Sequence, residues 1–469
     1  MIASQTFRDF VWLSALSIAA LFLVNLPQII DPFVRHDDFP ALLGLREMAY
    51  EKALEEGRWL NYWWQFRPVL WPANVHLALY LVAWGLLAAT VPLAVLDRSV
   101  GNWYKGYLAL FVALAIPAFL ISHWFNTLLP GMWIVTLHAI SVIALPHALA
   151  VALLVVTVPL TFMAYPTLPF ILLALVLLSR KAPERISAAT VTLGVFFAGL
   201  ALALLLVYSL NFLFFDVFGI PIAKWRGPTQ ASSAADMAMN LAKFKFAILD
   251  SLTRLGRGSL LYGAALPILF VISWVALLFQ QRRVALLIFV AAMVGIAPLV
   301  QQSLASGVRI PLRATAWLWI LAGTTLTWLA FSAQRDRRIL ASVTRILMVS
   351  VLLLHVMFIT EISFGRIPIW QKTTRALATA IPAGTETIYI LGHYEGLDGA
   401  QSIGIQYGRA LQLRLTYLTG AEAVICHETP EKCVGINPPF EPGSWVTAPR
   451  IETAGRDAFV LLPQPNAGP

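Results

Sequence analysis

Long apolar runs separated by short polar breaks dominate the chain between residues 10 and 362. A hydrocarbon core about 30 Å thick takes a helix of roughly 20 apolar residues, and several of these runs reach that length. They predict spans near 10–30, 73–95, 106–123, 128–144, 146–163, 166–180, 187–212, 259–280, 284–302, 310–332 and 340–362, eleven in all. The stretch from 128 to 180 is almost unbroken, and Pro146, Pro159, Pro166 and Pro169 within it mark either helix ends or kinks. Only Arg8 and Asp9 carry charge ahead of the first run, and no small-residue cleavage site follows it, so it reads as a retained span and not as a signal peptide.

The polar breaks alternate in charge. Arg98 and Lys105, then Arg180, Lys181 and Arg185, then Arg282 and Arg283, then Arg335, Arg337 and Arg338 fall in every second break, the short one at Pro146 excepted. The intervening short breaks at Asn126–Thr127 and Ala164–Tyr165 carry no charge. Lys and Arg in short loops prefer the cytoplasm, so the amino terminus is expected inside and three longer segments outside: 31–72, 213–257 and 364–469. The last mixes a helical stretch (Thr373–Ala380) with strand-like runs (Thr387–Leu391 and Ala458–Leu462) and turn residues. The expected architecture is an all-α polytopic membrane domain over 1–363, followed by a small α/β domain over 364–469.

Composition agrees with that architecture and narrows the function. Of 469 residues, 59% are hydrophobic and 12% charged, and the mean hydropathy is +0.75, a balance foreign to soluble domains of this size. The net charge of +9 does not imply nucleic acid, because most Lys and Arg lie in short breaks where they orient helices. Cys426 and Cys433, the only two cysteines, sit seven residues apart in a polar segment and suit a disulfide in an oxidising compartment, the alternative being two free thiols. His427 beside them does not make a recognisable zinc spacing. The chain has no nucleotide-binding glycine motif, no Walker sequence and no internal repeat of the kind found in transporters.

The first outside segment is the richest in chemistry. It runs Arg35-His36-Asp37-Asp38-Phe39-Pro40. An amphipathic helix over 41–56 follows, with Leu42, Leu45, Ala49, Ala53 and Leu54 set against Arg46, Glu47, Glu51, Lys52, Glu55 and Glu56, ending at Gly57. Arg58, Trp59, Tyr62, Trp63, Trp64, Phe66, Arg67 and Trp71 come next. A carboxylate at a partly desolvated membrane edge has its pKa raised and serves as a general base toward a sugar hydroxyl. One of Asp37 and Asp38 is enough for that. The other would orient a sugar hydroxyl or pair with Arg35, Arg58 or Arg67. The structural alternative is that Asp38 caps the helix beginning at Phe39-Pro40, which contributes about 1 kcal/mol.

A first span, a short stretch ending in Asp-Asp, a juxtamembrane helix and many further spans before an outside C-terminal domain resemble the GT-C glycosyltransferase superfamily. Arg35-His36-Asp37-Asp38, then Gly57-Arg58-Trp59, and Tyr165-Pro166 at a later span edge are similar to the Gtr-type O-antigen glucosyltransferase family. The resemblance covers the architecture of about 360 residues and rests on short motifs. It implies a sugar donor carried on a polyprenyl phosphate at the periplasmic face of a bacterial inner membrane. It also implies inversion at the anomeric carbon, a glycan or lipid acceptor such as lipopolysaccharide O-antigen, and Asp37 or Asp38 as base. In that family the later tyrosine commonly precedes Gln, whereas here Pro166 and Thr167 follow it, which weakens glucose as the sugar.

Departure of a lipid phosphate builds negative charge that Arg stabilises best. Arg309 and Arg313 flank Ile310-Pro311-Leu312 and, at i and i+4 of the tenth span, are expected on one helix face. Arginine inside a bilayer costs roughly 2.5 to 3.5 kcal/mol, so both face a cavity or the interface; snorkelling to headgroups is the alternative. The segment 213–257 adds Lys224, Arg226, Lys243, Lys245, Arg254 and Arg257, either as a second phosphate clamp, as a lid over the lipid tail or as contacts to anionic membrane lipids. His36, Arg58, Arg67 and Tyr165 are expected around the sugar or acceptor, with one of Trp59, Trp63, Trp64 and Trp71 stacking on a sugar ring and the rest forming an interfacial belt. His123, His138 and His147 lie in or beside apolar spans and are read as structural. No cofactor is required: the Asp pair is able to hold a divalent metal ion, but a base and arginines suffice. The rival readings are a lipid or solute transporter and a non-catalytic envelope assembly partner.

Overall fold

The structure is a computed structural model that describes residues 2–45, 48–223, 226–257, 259–440 and 446–464. Arg46, Glu47 and Lys224 lie outside the described residues, as do the side chains of Ala49, Glu51 and Arg335. The chain divides into two compact units, one of residues 1–24, 47–67 and 76–359 and the other of 25–46, 68–75 and 360–469.

The first unit is helical. Among the described residues eight helices are long and apolar enough to cross a membrane: Gln5–Val24, Ala73–Val95, Phe125–Ala144, Ile186–Phe215, Leu260–Leu278, Arg282–Ser306, Leu312–Gln334 and Arg338–Ala380. A ninth forms if Asn102–Ala113 and Ile116–Ser122, bent by 42°, act as one span. The expected count of eleven is therefore reduced. The predicted spans 146–163 and 166–180 are the shorter helices His147–Phe162 and Pro169–Leu177. At a rise of 1.5 Å per residue they reach only about 24 Å and about 14 Å, less than the hydrocarbon core. The prolines explain the breaks. Pro146 caps the first of these helices and Pro169 opens the second, where its missing N–H costs nothing, while Pro159 lies inside the first.

The ends of these helices sort into two groups. At one end Lys105 pairs with Asp9 at 3.0 Å, the Arg180 N–H donates to the Ala94 carbonyl, Arg283 donates to the Pro183 carbonyl, and Arg345 donates to the Tyr104 hydroxyl. The break at Pro146, which has no basic residue of its own, belongs here as well: Lys181 Nζ donates to the carbonyls of Ile143 and Leu145 at 2.7 and 2.8 Å. A cation on the last carbonyls of a helix is favoured by its dipole. At the opposite end Asn61 donates to the Ala164 carbonyl, Asn211 to the Leu54 carbonyl, and the Ala231 N–H to the Ala305 carbonyl. Segments expected on the same side of the membrane thus meet one another.

The second unit is built on a four-stranded sheet of β1 (Thr387–Leu391), β2 (Glu422–Ile425), β3 (Arg450–Ala454) and β4 (Asp457–Leu461) in the order β2-β1-β4-β3. β1 runs parallel to both β2 and β4, while β3 and β4 form an antiparallel hairpin. Parallel neighbours need a crossover, which the helix Arg409–Thr419 supplies between β1 and β2. With the helix Ile367–Ala380 it covers a core containing Ile388, Ile390, Leu411, Leu415 and Val460.

The domain division differs from the expected one at residue 363, because part of the segment 31–72 folds with the sheet domain. Phe33 is 1% exposed and joins that core. Arg35 donates to the carbonyls of Gly404 and Ile403 at 2.7 and 3.2 Å. The deepest tie is Arg414, whose guanidinium donates to Thr374 Oγ1 at 2.6 Å and to Asp31 Oδ2 at 2.9 Å; Asp31 also pairs with Arg375. Burial draws the Arg414 guanidinium below its ordinary value, and the Asp31 carboxylate opposes that loss. Removing the carboxylate leaves a buried charge poorly compensated. Asp31→Ala is therefore expected to lower the stability of this unit by about 3 kcal/mol, read as a lower unfolding temperature of its tertiary signal; an unchanged melt would contradict the role given to the pair.

Candidate functional site

The acidic doublet belongs to the second unit. Residues 36–38 form a turn ahead of the short helix Phe39–Leu43. His36 Nε2 lies 3.1 Å from Asp37 Oδ1, and both side chains keep a little surface, 14% and 18%. The His36 ring packs edge-on against Tyr407 at 4.9 Å, so the imidazole that the sequence assigned to the sugar is engaged with Asp37 instead. Asp38 is fully buried. It occupies the N-cap position expected of it but makes no side-chain cap bond, which removes the capping explanation for this residue.

A cationic and aromatic cluster belongs to the first unit. Glu56 is buried at the end of the helix Met48–Glu56, where Gly57 (φ 67) turns the chain, and three cations converge on it. Lys52 Nζ lies 2.9 Å and Arg226 Nη2 3.0 Å from Oε1, and Arg58 Nη2 lies 2.5 Å from Oε2. Arg58 in turn covers the Tyr165 ring at 4.9 Å. The segments 31–72 and 213–257 and the Tyr165 edge therefore supply one group of side chains. Elsewhere in the same unit, Arg67 stacks over Trp64 at 4.7 Å and donates to Asn126 Oδ1 at 3.4 Å, and Arg313 stacks over Trp124 at 4.1 Å.

Burial alone pushes the Glu56 carboxyl up, but Arg58, Lys52 and Arg226 together outweigh it and bring it from 4.5 down to about 2. The folded value lies below the unfolded one, so the stabilisation, about 3 kcal/mol, is complete above pH 4.5 and is lost as the pH falls toward 2. Glu56→Gln is expected to lower the melting temperature by a constant amount between pH 8 and 5, with the gap to the parent narrowing below pH 4.5. A gap that varies between pH 8 and 5 would show that another group controls it.

Several expected placements are corrected. Arg309 and Arg313 do not share a helix face: Gly307, in a left-handed conformation, ends the preceding helix, Pro311 is extended, and Leu312–Thr315 is a 3-10 turn. Arg309 instead pairs with Asp250, which also accepts from Arg254 Nε at 3.0 Å. Lys243 Nζ donates to Thr229 Oγ1 at 2.5 Å, and Lys245 and Arg257 are exposed, Arg257 just beyond its helix at φ 55. This set forms an exposed patch on the helix Ala234–Leu255, whose Met237, Leu241, Phe246 and Ile248 are exposed too, as suits a membrane-surface helix. Trp59 is fully buried, donating its indole N–H to Asn211 Oδ1 at 2.8 Å and packing on Tyr62, so it is a core residue and not a sugar platform. Trp64 lies beneath Arg67, and its indole nitrogen is buried without a partner; Trp63 keeps 43% of its surface.

Cys426 and Cys433 are joined as a disulfide with Cα atoms 5.6 Å apart. Among the described residues no group of three or more His, Cys, Asp and Glu is placed to hold a metal ion. His138 meets Thr157 at Nδ1, a structural contact. No local pattern sets Arg226 apart from the other bases of its segment, because its partner Glu56 lies 170 positions away; Lys52 and Glu56, at i and i+4, are the visible half of the cluster. No protein-family model matches the chain, and no curated protein matches it.

Proposed function

We propose that the protein is an inverting glycosyltransferase that moves a sugar, glucose being the one its resemblance suggests, from a polyprenyl-phosphate carrier to a periplasm-facing glycan or lipid such as lipopolysaccharide O-antigen. The observation that carries this reading is the convergence of Lys52, Arg58 and Arg226 around one buried carboxylate beside Tyr165. Cations held at the end of a bundle of apolar helices suit the phosphate of a lipid whose tail stays in the bilayer. The reading places the amino terminus in the cytoplasm of a bacterial inner membrane and the sheet domain in the periplasm, a compartment compatible with the disulfide.

In the proposed reaction Asp37 is the base, since it keeps open surface whereas Asp38 has none. The acceptor hydroxyl gives its proton to the Asp37 carboxylate while its oxygen forms a bond to the anomeric carbon from the face opposite the phosphate. The bond from that carbon to the phosphate oxygen breaks, and its electron pair leaves with the polyprenyl phosphate. The charge that develops on that phosphate calls for cations such as Arg58 and Arg226, which belong to the first unit, whereas Asp37 belongs to the second. Arg67 and Arg313, both against the start of the helix Phe125–Ala144, are second candidates for contact with the donor.

Mass spectrometry of the surface glycans of cells with and without the gene tests the reading. A mass difference of one sugar residue per repeating unit is expected. Identical glycan masses, with the protein present in the membrane, would set the reading aside.

A further inference from the structure

The unit that carries the acidic doublet also carries an open patch that the proposed reaction leaves unused. Tyr407, edge-on to His36, is 40% exposed. The next N–H, of Gly408, donates to Glu428 Oε1 at 3.0 Å. A Cβ at position 408 would lie 2.4 Å from that same oxygen, so glycine is what lets the carboxylate approach the backbone. His427 stands beside it, Nε2 3.9 Å from Glu428 Oε1, with its ring against His393 at 4.5 Å. The segment is fixed at both ends. The Cys426 N–H donates to the Ile390 carbonyl at 3.0 Å, and the disulfide to Cys433 closes the loop. In the same unit, burial and then the charges of Glu395 and Glu428 push the Tyr394 phenol up to about 12.

We propose that Tyr407, His427 and Glu428 form the subsite that receives a saccharide acceptor next to His36 and Asp37. The inference rests on the glycosyl-transfer reading and names the class of acceptor. An aromatic ring with an open face stacks on the C–H face of a sugar. A carboxylate anchored by a backbone N–H still has lone pairs for sugar hydroxyls, and such charge-assisted bonds are the strong ones. The imidazole of His427 adds a donor or an acceptor. The nearby charges of Glu395 and Glu428 repel phosphate, so the subsite selects a neutral sugar over a phospholipid headgroup or the phosphate of a lipid acceptor.

The test uses the full-length protein in lipid nanodiscs, labelled polyprenyl-phosphate glucose as donor and delipidated surface polysaccharide from the protein's own cells as acceptor. Tyr407→Ala and Glu428→Gln are each expected to raise the half-saturating polysaccharide concentration about tenfold and to leave the donor concentration dependence unchanged. If the parent transfers sugar and both variants match it in acceptor dependence, the subsite is refuted and the enzyme reading stands. If the parent consumes no donor, the enzyme reading falls, and retention of the polysaccharide on immobilised nanodiscs decides the subsite alone. Retention by the parent and loss in both variants supports it; equal retention overturns it. Competition of inorganic phosphate with the polysaccharide in the retention step, where no donor is present, would overturn the choice of a neutral sugar. Formation of the disulfide in both variants confirms that they fold.

Discussion

Asp37→Asn is expected to reduce sugar transfer by a factor of about 10² to 10⁴ while leaving the protein in the membrane at its normal level and its affinity for the lipid donor unchanged. The amide keeps the shape of the side chain and loses the capacity to take a proton. Asp37 is open enough to meet a hydroxyl, and its contact with His36 at 3.1 Å fixes one carboxylate oxygen. The matching Asp38→Asn variant separates the two acids. Asp38 has no exposed surface, so its loss is expected to act through packing, as a lower melting temperature and a reduced amount of folded protein, with the activity per folded molecule retained. The opposite pattern, with Asp38→Asn inactive and stable and Asp37→Asn active, would exchange the roles.

The second large effect is expected at Arg58. Its guanidinium lies between Glu56 and the Tyr165 ring, which presents a planar cation at a fixed orientation. If it stabilises the departing phosphate, Arg58→Ala is expected to lower turnover by about 10² to 10³-fold. Arg58→Lys is expected to recover little of it, because an ammonium has neither the fork nor the stacking face. The same pair of variants at Arg309, which is half exposed and neutralised by Asp250, is expected to change turnover by less than about threefold. Equal losses at Arg58 and Arg309 would mean that the phosphate lies elsewhere or that both act through folding.

What was legible in the sequence was what is local. The run 73–95 was read at the bounds the helix Ala73–Val95 has, since apolar length alone decides a span. β1 was read correctly at Thr387–Leu391, where its β-branched and aromatic residues stand together. β2 escaped because four residues, Glu422–Ile425, carry too little periodicity, and the helix Arg409–Thr419 escaped because its charged residues blur its apolar face. Arg309 and Arg313 were misread for a local reason as well: helical spacing was assumed across Pro311, which is extended, just after Gly307 has ended the preceding helix.

The remaining features depend on contacts that no local pattern announces. Asp31 and Arg414 are 383 positions apart, and only the fold brings the segment after the first span to the sheet domain. Lys181 serving the helix end at Leu145 has the same character, as does Arg226 reaching Glu56. The acidic doublet itself was visible as a motif. That its two members differ, one open and paired with an imidazole and the other enclosed, was not, because neighbouring positions in a turn diverge only once the chain around them has packed.

The central claim is chemical, and one measurement meets it directly. The purified protein in proteoliposomes without an ion gradient is given radiolabelled polyprenyl-phosphate glucose and surface polysaccharide, and the label is followed between the lipid and glycan fractions. Transfer of label to the polysaccharide with release of polyprenyl phosphate, and with the anomeric configuration inverted, is the expected result. Label that stays on the lipid, or crosses the bilayer with its lipid intact, would contradict the account and mark the protein as a carrier or a partner instead.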